Sequence, residues 1–309
     1  MDLNLKIPPS KPASLSLLRF KKVARLSIFI LLVPLFFIGN LCFAETADDI
    51  LTRGIAHGKS SRDDQAILEF SKVIEKDPLN ARAYLLRGSA YQNMGSLNEA
   101  LSDYNCSIEI DSRNPKAFTL RGYVYETRGK LEQAVADYSE AIAQNPADAV
   151  AYLHRGIVFD DTGRSWEAIA DFNKAIALNP VFPQGYYNRA ITYQKIGDFD
   201  QAIADYTKVL LINPNYSSAY YGRGLAYKNR GNFEKAIADH NKAIELDPLM
   251  AEAYNSRGDL YLLYKADPRQ ALANYNRAIE IDPNYSDAYQ NRAILYKMMG
   301  EPAISHDGS

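Results

Sequence analysis

The stretch AYLLRG at residues 83–88 recurs along the chain at a nearly constant interval. Its close variants are AFTLRG, AYLHRG, GYYNRA, AYYGRG, AYNSRG and AYQNRA, and all of them keep the arginine. With that arginine as position 7, six units of 34 residues follow one another without a gap, a seventh has one extra residue, and an eighth stops early. A fixed period of this length indicates a repeat architecture. The units begin at Ala47, Ala81, Pro115, Ala149, Pro183, Ser217, Ala251 and Ser286.

Each unit carries the pattern of two helices joined by a turn. Position 4 is usually aromatic, position 8 is glycine or alanine, and position 11 is usually tyrosine, so spacings of four and three place them on one helix face. Glycine at position 15 is a helix stop, and proline near position 32 ends a second helix. That second helix has alanine at position 20 and, in most units, an aromatic residue at position 24. Small residues at positions 8 and 20 let two antiparallel helices approach closely.

The period resembles that of the tetratricopeptide repeat family over residues 47–300, and so do five of the marks: glycine at position 8, tyrosine at 11, alanine at 20, an aromatic residue at 24 and proline at 32. Tyrosine or phenylalanine mostly replaces the tryptophan that the family usually has at position 4. The resemblance implies an all-α, right-handed superhelical solenoid of antiparallel helix pairs, with a concave surface lined by the first helices. We expect seven full repeats and a truncated eighth, at 47–80, 81–114, 115–148, 149–182, 183–216, 217–250, 251–285 and 286–300. A repeat of this kind cannot bury its apolar face alone and must stack on its neighbours.

The recurring arginine has an acidic counterpart at position 23 in six of the seven full units. In a helical hairpin that turns at positions 15 and 16, positions 7 and 23 lie opposite each other, which predicts an ion pair inside each repeat. A row of cations that binds an anion is the alternative interpretation. The predicted pairs with aspartate are Arg87–Asp103, Arg121–Asp137, Arg155–Asp171, Arg189–Asp205 and Arg223–Asp239.

The N-terminal 44 residues differ from the repeats. Six basic residues and one acid precede the uncharged segment 26–44, and Cys42 and Ala44 place small residues before an acidic stretch. This pattern predicts a signal peptide cut after Ala44, or an uncleaved signal anchor that spans a membrane through 26–44. Either form would export the repeats, to the periplasm or the outside of the cell, or hold them at a membrane. Residues 45–46 are then a short linker and 301–309 a C-terminal tail.

Composition and motifs argue against several classes of function. The chain has a net charge of −2, and its first 44 residues carry six bases against one acid. The rest of the chain therefore has an excess of acids, which makes the repeats unsuited to nucleic acid. GIAHGKSS at 54–61 lacks the first glycine of a phosphate-binding loop. His57, His154, His240 and His306 show no metal-ligand spacing. We therefore expect no cofactor, no metal and no catalysis. Glycosylation sequons occur at Asn105, Asn215 and Asn284.

Positions 5 and 9 of the first helices should face the groove. In the central repeats they form an apolar and aromatic stripe of Leu153, Ile157, Tyr187, Ile191, Tyr221 and Leu225. The lysine and asparagine clamp by which some family members hold an acidic peptide is missing. The stripe predicts docking of an amphipathic helix or an extended segment by hydrophobic anchors. The alternative is that part of the stripe packs against the neighbouring repeat.

The C-terminal end provides a second candidate surface. The eighth unit has no complete second helix in the sequence, so we expect Leu295, Met298 and Met299 to be partly exposed. Exposed apolar area usually marks an interface, which here would be a homodimer contact or a partner site. The alternative is a helix that caps the solenoid adequately.

These patterns predict an exported scaffold or adaptor that binds a protein or peptide partner in its groove without catalysis. One alternative is a membrane-anchored assembly factor of the cell envelope. Another is a non-catalytic subunit of a wall- or glycan-processing enzyme.

Overall fold

The computed structural model describes residues 45–300, in which the chain forms fifteen α-helices and no strand. The predicted signal or anchor segment at 1–44 and the tail at 301–309 lie outside the described residues. Every odd-numbered helix begins at the first residue of a predicted unit. The helices are α1 (Ala47–Lys59), α2 (Asp63–Lys76), α3 (Ala81–Asn93), α4 (Leu97–Ile110), α5 (Pro115–Thr127), α6 (Leu131–Gln144), α7 (Ala149–Asp161), α8 (Ser165–Leu178), α9 (Pro183–Lys195), α10 (Phe199–Ile212), α11 (Ser217–Asn229), α12 (Phe233–Leu246), α13 (Ala251–Leu263), α14 (Pro268–Ile281) and α15 (Ser286–Met299).

Local sequence explains where the helices begin and end. Gly95 and Gly197 follow the first helices of their repeats with φ of 76° and 84°, a conformation that glycine adopts without a steric penalty. Asp198 then accepts a hydrogen bond from the backbone N–H of Gln201 and caps α10. At the start of the solenoid, Thr46 and Asp49 form a capping box, so Thr46 of the predicted linker is the N-cap of α1.

Within a repeat the two helices meet where position 8 has no room for a side chain. A Cβ added to Gly88 would lie 2.8 Å from the ring of Tyr104, and one added to Gly156 would lie 2.7 Å from that of Phe172. Both rings are fully buried. Glycine at position 8 is therefore what allows the aromatic residue at position 24 to cover the first helix.

Neighbouring repeats share their cores. The apolar cluster around Tyr206 and Val209 includes Ala190 of the same repeat and Ala219 and Ala226 of the next. The second helix of each repeat thus packs on the first helix of the following one, as α10 does on α11. The resulting architecture is an all-α superhelical solenoid of antiparallel helix pairs.

The structure corrects the expectation for Leu295, which is fully buried. Leu295 occupies position 10, and it packs on Ala271 and Tyr275 of α14. Position 10 faces the preceding repeat, so its burial does not need a second helix in repeat eight. Met298 and Met299 are exposed, by 66% and 40%.

Candidate functional site

The arginine row is bonded within the scaffold. Arg87 donates from Nε and Nη2 to the two carboxylate oxygens of Asp103, both at 2.8 Å. Asp103 is only 4% exposed. This hydrogen bond raises the pKa of the Arg87 guanidinium. The same two-point contact joins Arg121 to Asp137, Arg155 to Asp171, Arg189 to Asp205 and Arg223 to Asp239.

The remaining guanidinium nitrogen of each arginine reaches back to the preceding repeat. Arg121 donates from Nη1 to Asn105 Oδ1 at 2.7 Å, and Arg155 does so to Ser139 Oγ at 3.0 Å. Position 25 accepts this bond, and it is serine, threonine or asparagine in each complete repeat. Sequence analysis missed this bond between repeats, although the small polar residues at position 25 are visible in the sequence. Because one arginine binds both an acid of its own repeat and a neighbour, the row serves the stacking of the scaffold.

Repeat seven departs from this arrangement. Arg257 donates from Nε to the amide oxygen of Asn274 at 2.8 Å and from Nη1 to Asn241 at 2.7 Å. Burial lowers the pKa of Arg257, in contrast to the raised pKa of Arg87 beside its carboxylate. The guanidinium is thus half-buried with neutral acceptors.

An open cavity of about 400 Å³ lies between the first helices of repeats five and six. Four of the six predicted groove residues line it: Tyr187 and Ile191 on α9, and Tyr221 and Leu225 on α11. Gln194, Lys195, Tyr206, Ser218 and Gly222 complete the lining, and sequence analysis did not single them out as part of a groove.

Gly222 lines the cavity beside Tyr206. It occupies position 6, where the preceding repeats have Leu86, Leu120, His154 and Asn188. A Cβ at residue 222 would lie 2.5 Å from Tyr206, so the position admits no side chain without displacement of that ring. The Tyr206 ring therefore packs directly on the backbone at Gly222, and both residues line the cavity. The signal in the sequence was Gly222 in AYYGRG, a glycine at position 6, which sequence analysis did not consider.

Tyrosine rings form a large part of the cavity wall. The Tyr187 ring lies 5.1 Å from that of Tyr216 and 5.8 Å from that of Tyr206, measured between centroids. The Tyr206 hydroxyl donates to Gln194 Oε1 at 3.0 Å. Burial raises the pKa of Tyr187 and of Tyr221, which keeps both phenols neutral at physiological pH.

The cation on this lining is already paired. Lys195 donates from Nζ to Asp160 Oδ2 of the preceding repeat at 2.6 Å. The cavity therefore offers aromatic and aliphatic surface, with hydroxyl and amide groups at its edge, and suits an apolar side chain better than a charged one.

The structure does not bring Leu153 and Ile157 into this cavity. Leu153 is 5% exposed and packs with Phe159 and Phe172, and Ile157 is partly buried against the same cluster. Leucine at position 5 is short enough to be covered by these rings, whereas tyrosine at the same position in repeats five and six reaches the cavity. The prediction that Leu153 faces the groove was therefore wrong.

Metal-ligand clusters and membrane spans are both missing from the described part of the chain. Among residues 45–300, no group of three or more His, Cys, Asp or Glu side chains is arranged to hold a metal ion. No helix described there has the length and apolar content needed to cross a membrane.

The fold and the cavity define a class: an α-helical repeat protein with an open cavity between two of its first helices. Models of the tetratricopeptide repeat match residues 183–216, 217–248, 69–102, 274–306 and 251–285, and a model of the TPR repeat matches 127–163 and 161–197. Together they cover more than half of the chain, which therefore belongs to the tetratricopeptide repeat family.

Solved structures share this fold. A chain of the APC/C hetero-tetramer Cut9–Hcn1 is 19% identical with a TM-score of 0.64 over 84% of this chain, which spans 50% of its length. A tetratricopeptide repeat protein from Parabacteroides merdae is 21% identical, with a TM-score of 0.60 over 81% of this chain and 98% of its own. YrrB, described as a TPR protein with an unusual peptide-binding site, is 24% identical, with a TM-score of 0.52 over 60% of this chain and 96% of its own. Comparison with curated proteins gave no match.

Proposed function

We propose that this protein is a non-catalytic scaffold that binds a protein or peptide partner between repeats five and six. The observation that carries the proposal is the cavity walled by Tyr187, Ile191, Tyr221 and Leu225. Half-buried aromatic residues are the usual anchors of protein interfaces, because they bring large contact area at a low cost in conformational entropy. Two of the structural relatives support this function: Cut9–Hcn1 is a hetero-tetramer, and YrrB has a peptide-binding site.

The chemistry of the cavity defines the segment that it would hold. A volume of about 400 Å³ accommodates one or two large apolar side chains. The partner would insert an aliphatic or aromatic side chain between Tyr187 and Tyr221, and the hydroxyl of Ser218 and the amide of Gln194 would hydrogen-bond its backbone. An amphipathic helix or an extended strand presents such anchors at regular spacing.

For localisation, we propose export through residues 1–44. The support is the order of a basic stretch, the uncharged run 26–44 and small residues at Cys42 and Ala44. N-terminal sequencing of the protein from its native cell distinguishes the two exported forms: a new terminus at Glu45 indicates cleavage, and an intact segment indicates a membrane-anchored scaffold. Recovery of the uncleaved chain from the cytosol would overturn the proposal.

The binding proposal is tested by crosslinking and then by affinity. A photoreactive residue placed at Ile191 in the native cell should capture a defined partner, which is identified by mass spectrometry. The full chain with Tyr187→Ala and Tyr221→Ala should then bind that partner at least 100-fold more weakly in calorimetry, since aromatic anchors each contribute about 2 kcal/mol.

The matched control removes two other large apolar side chains, Trp166→Ala and Leu211→Ala. They are 73% and 71% exposed on second helices, outside the cavity, and their loss should leave the affinity unchanged. Circular dichroism of both variants should show the helix content of the parent. Unchanged affinity in the tyrosine variant would refute the cavity as the binding site.

A further inference from the structure

The eighth repeat exposes a helix face that the seven complete repeats cover. The helix α15 packs on α14 and α13 through its buried residues Ala288 and Leu295. Its other face is exposed and includes Ala293, Ile294 and Met298. Ala293 occupies position 8, and the residue at that position is buried in every complete repeat: Gly54, Gly88, Gly122, Gly156, Ala190, Gly224 and Gly258.

The arginine of this repeat lacks the carboxylate that its counterparts have. Arg292 makes the bond to the preceding repeat, from Nη1 to Asn276 Oδ1 at 2.8 Å, and its guanidinium lies 5.2 Å from the centroid of the Tyr289 ring. No acidic side chain within residues 45–300 forms an ion pair with it. The exposed face thus combines a cation without an acid and an apolar surface around Ala293.

The complete repeats show what fits such a face. In each of them the second helix places a small residue at position 20, an acid or amide at position 23 and an aromatic ring or histidine at position 24 against the first helix. In repeat five these residues are Ala202, Asp205 and Tyr206, all buried. The acid binds the arginine at position 7, and the small residue lets the helices approach.

We propose that α15 is a docking site for a helix of another protein that carries the pattern small–x–x–acid–aromatic, which completes repeat eight in trans. Its acid would pair with Arg292, and its aromatic side chain would cover Ala293. This surface is separate from the cavity between repeats five and six.

Two other occupants fit the chemistry less well. A second copy of this chain has no free second helix, because its described acid–aromatic pairs are buried against their own first helices. The tail 301–309 reads EPAISHDGS, in which Asp307 is followed by glycine and no aromatic residue occurs. Neither of these two occupants supplies the missing pair, whereas a helix of another protein that carries the pattern would supply it.

The test uses a helix that is known to fit this architecture. A fluorescent peptide of residues 199–212, stapled through the exposed positions Ala204 and Lys208 to keep it helical, is titrated with the full chain in detergent and followed by anisotropy. We expect saturable binding, at least tenfold weaker for the peptide with Asp205→Ala and Tyr206→Ala. The protein variant Ala293→Leu, which fills an exposed position and should leave the fold unchanged, is expected to lose binding.

A charge reversal tests the pairing itself. Arg292→Glu should bind the parent peptide at least tenfold more weakly and should recover affinity for the peptide with Asp205→Arg. Circular dichroism of Arg292→Glu confirms that α15 is retained, and Ala293→Leu provides an independent result if it is not.

Four outcomes would overturn the proposal. The first two are absence of peptide binding and peptide binding that Ala293→Leu leaves unchanged. The third is binding only after removal of residues 301–309, which would assign the face to the tail. The fourth is a dimer of the parent protein in sedimentation that Ala293→Leu dissociates, which would assign the face to a second copy. Binding with the expected sensitivity to Asp205, Tyr206, Arg292 and Ala293 would support it.

Discussion

Repeats five and eight contain the same first-helix arginine in two different surroundings. Arg189 binds Asp205 of its own repeat and Asn173 of the preceding one. Among the described residues, Arg292 hydrogen-bonds to Asn276 of the preceding repeat and to no acid of its own repeat. The bond between repeats therefore forms without the ion pair inside the repeat. A single first helix such as α15 can therefore stack on the preceding repeat without a second helix. The acid at position 23 instead joins the two helices of one repeat.

The largest expected effect comes from removing that acid in a complete repeat. Asp205→Ala should lower the free energy of unfolding by about 3 kcal/mol, because it leaves the half-buried Arg189 with only one partner. Urea denaturation followed by circular dichroism measures the loss, and hydrogen exchange should place the lost protection in α9 and α10.

The matched variant in repeat eight is Arg292→Ala. Only one hydrogen bond to a neutral side chain and the contact with Tyr289 disappear, so the expected loss is about 1 kcal/mol. Equal losses of unfolding free energy for Asp205→Ala and Arg292→Ala would contradict the distinction between the ion pair inside a repeat and the hydrogen bond between repeats.

A second contrast lies at position 24, where repeat six has His240 in place of an aromatic residue. Tyr206 is bonded to Gln194, but neither ring nitrogen of His240 has a hydrogen-bond partner. Burial lowers the pKa of His240 to about 3, with Lys228 and Arg257 acting in the same direction.

This lowered pKa predicts acid sensitivity. Between its folded pKa of about 3 and its ordinary value of 6.5, the unfolded chain binds a proton that the folded chain excludes, so stability falls as the pH falls. From pH 7 to pH 5 the loss through this group should be about 2 kcal/mol. Urea midpoints across this range measure it.

The control for this titration is His240→Phe, which reproduces in repeat six the Phe172–Gly156 contact of repeat four. Phenylalanine does not titrate, so that variant should lose only the stability that other groups contribute between pH 7 and pH 5. The same pH dependence in both proteins would exclude His240 as the cause.

The smallest expected effect is a gain in repeat seven. Asn274→Asp would give Arg257 the carboxylate that the arginines of repeats one to six have, and we expect about 1 kcal/mol of added stability. Loss of the bond from Asn274 Nδ2 to the carbonyl of Gln270 offsets part of the benefit. Asn284→Asp, an equal change of charge in an exposed turn, is the control and should leave the urea midpoint unchanged.

Much of the fold follows from the repeat pattern. The starts of the first helices and the glycine turns depend on local periodicity, which the sequence displays eight times. The pairing of positions 7 and 23 follows from hairpin geometry, and the structure shows those residues bonded. The burial of Leu153 and Leu295 was not predicted, because it depends on what the neighbouring helix places against each residue.

The sequence by itself determined the helix pairs, the family and the residues that can pair across each hairpin. These features depend on spacing along one or two helices. Only the tertiary structure decided where the stack is open: at the cavity lined by Tyr187, Tyr221 and Gly222, and at α15, whose face around Ala293 is exposed. The physical reason is that exposure depends on the volume of the side chains that neighbouring repeats bring to a position.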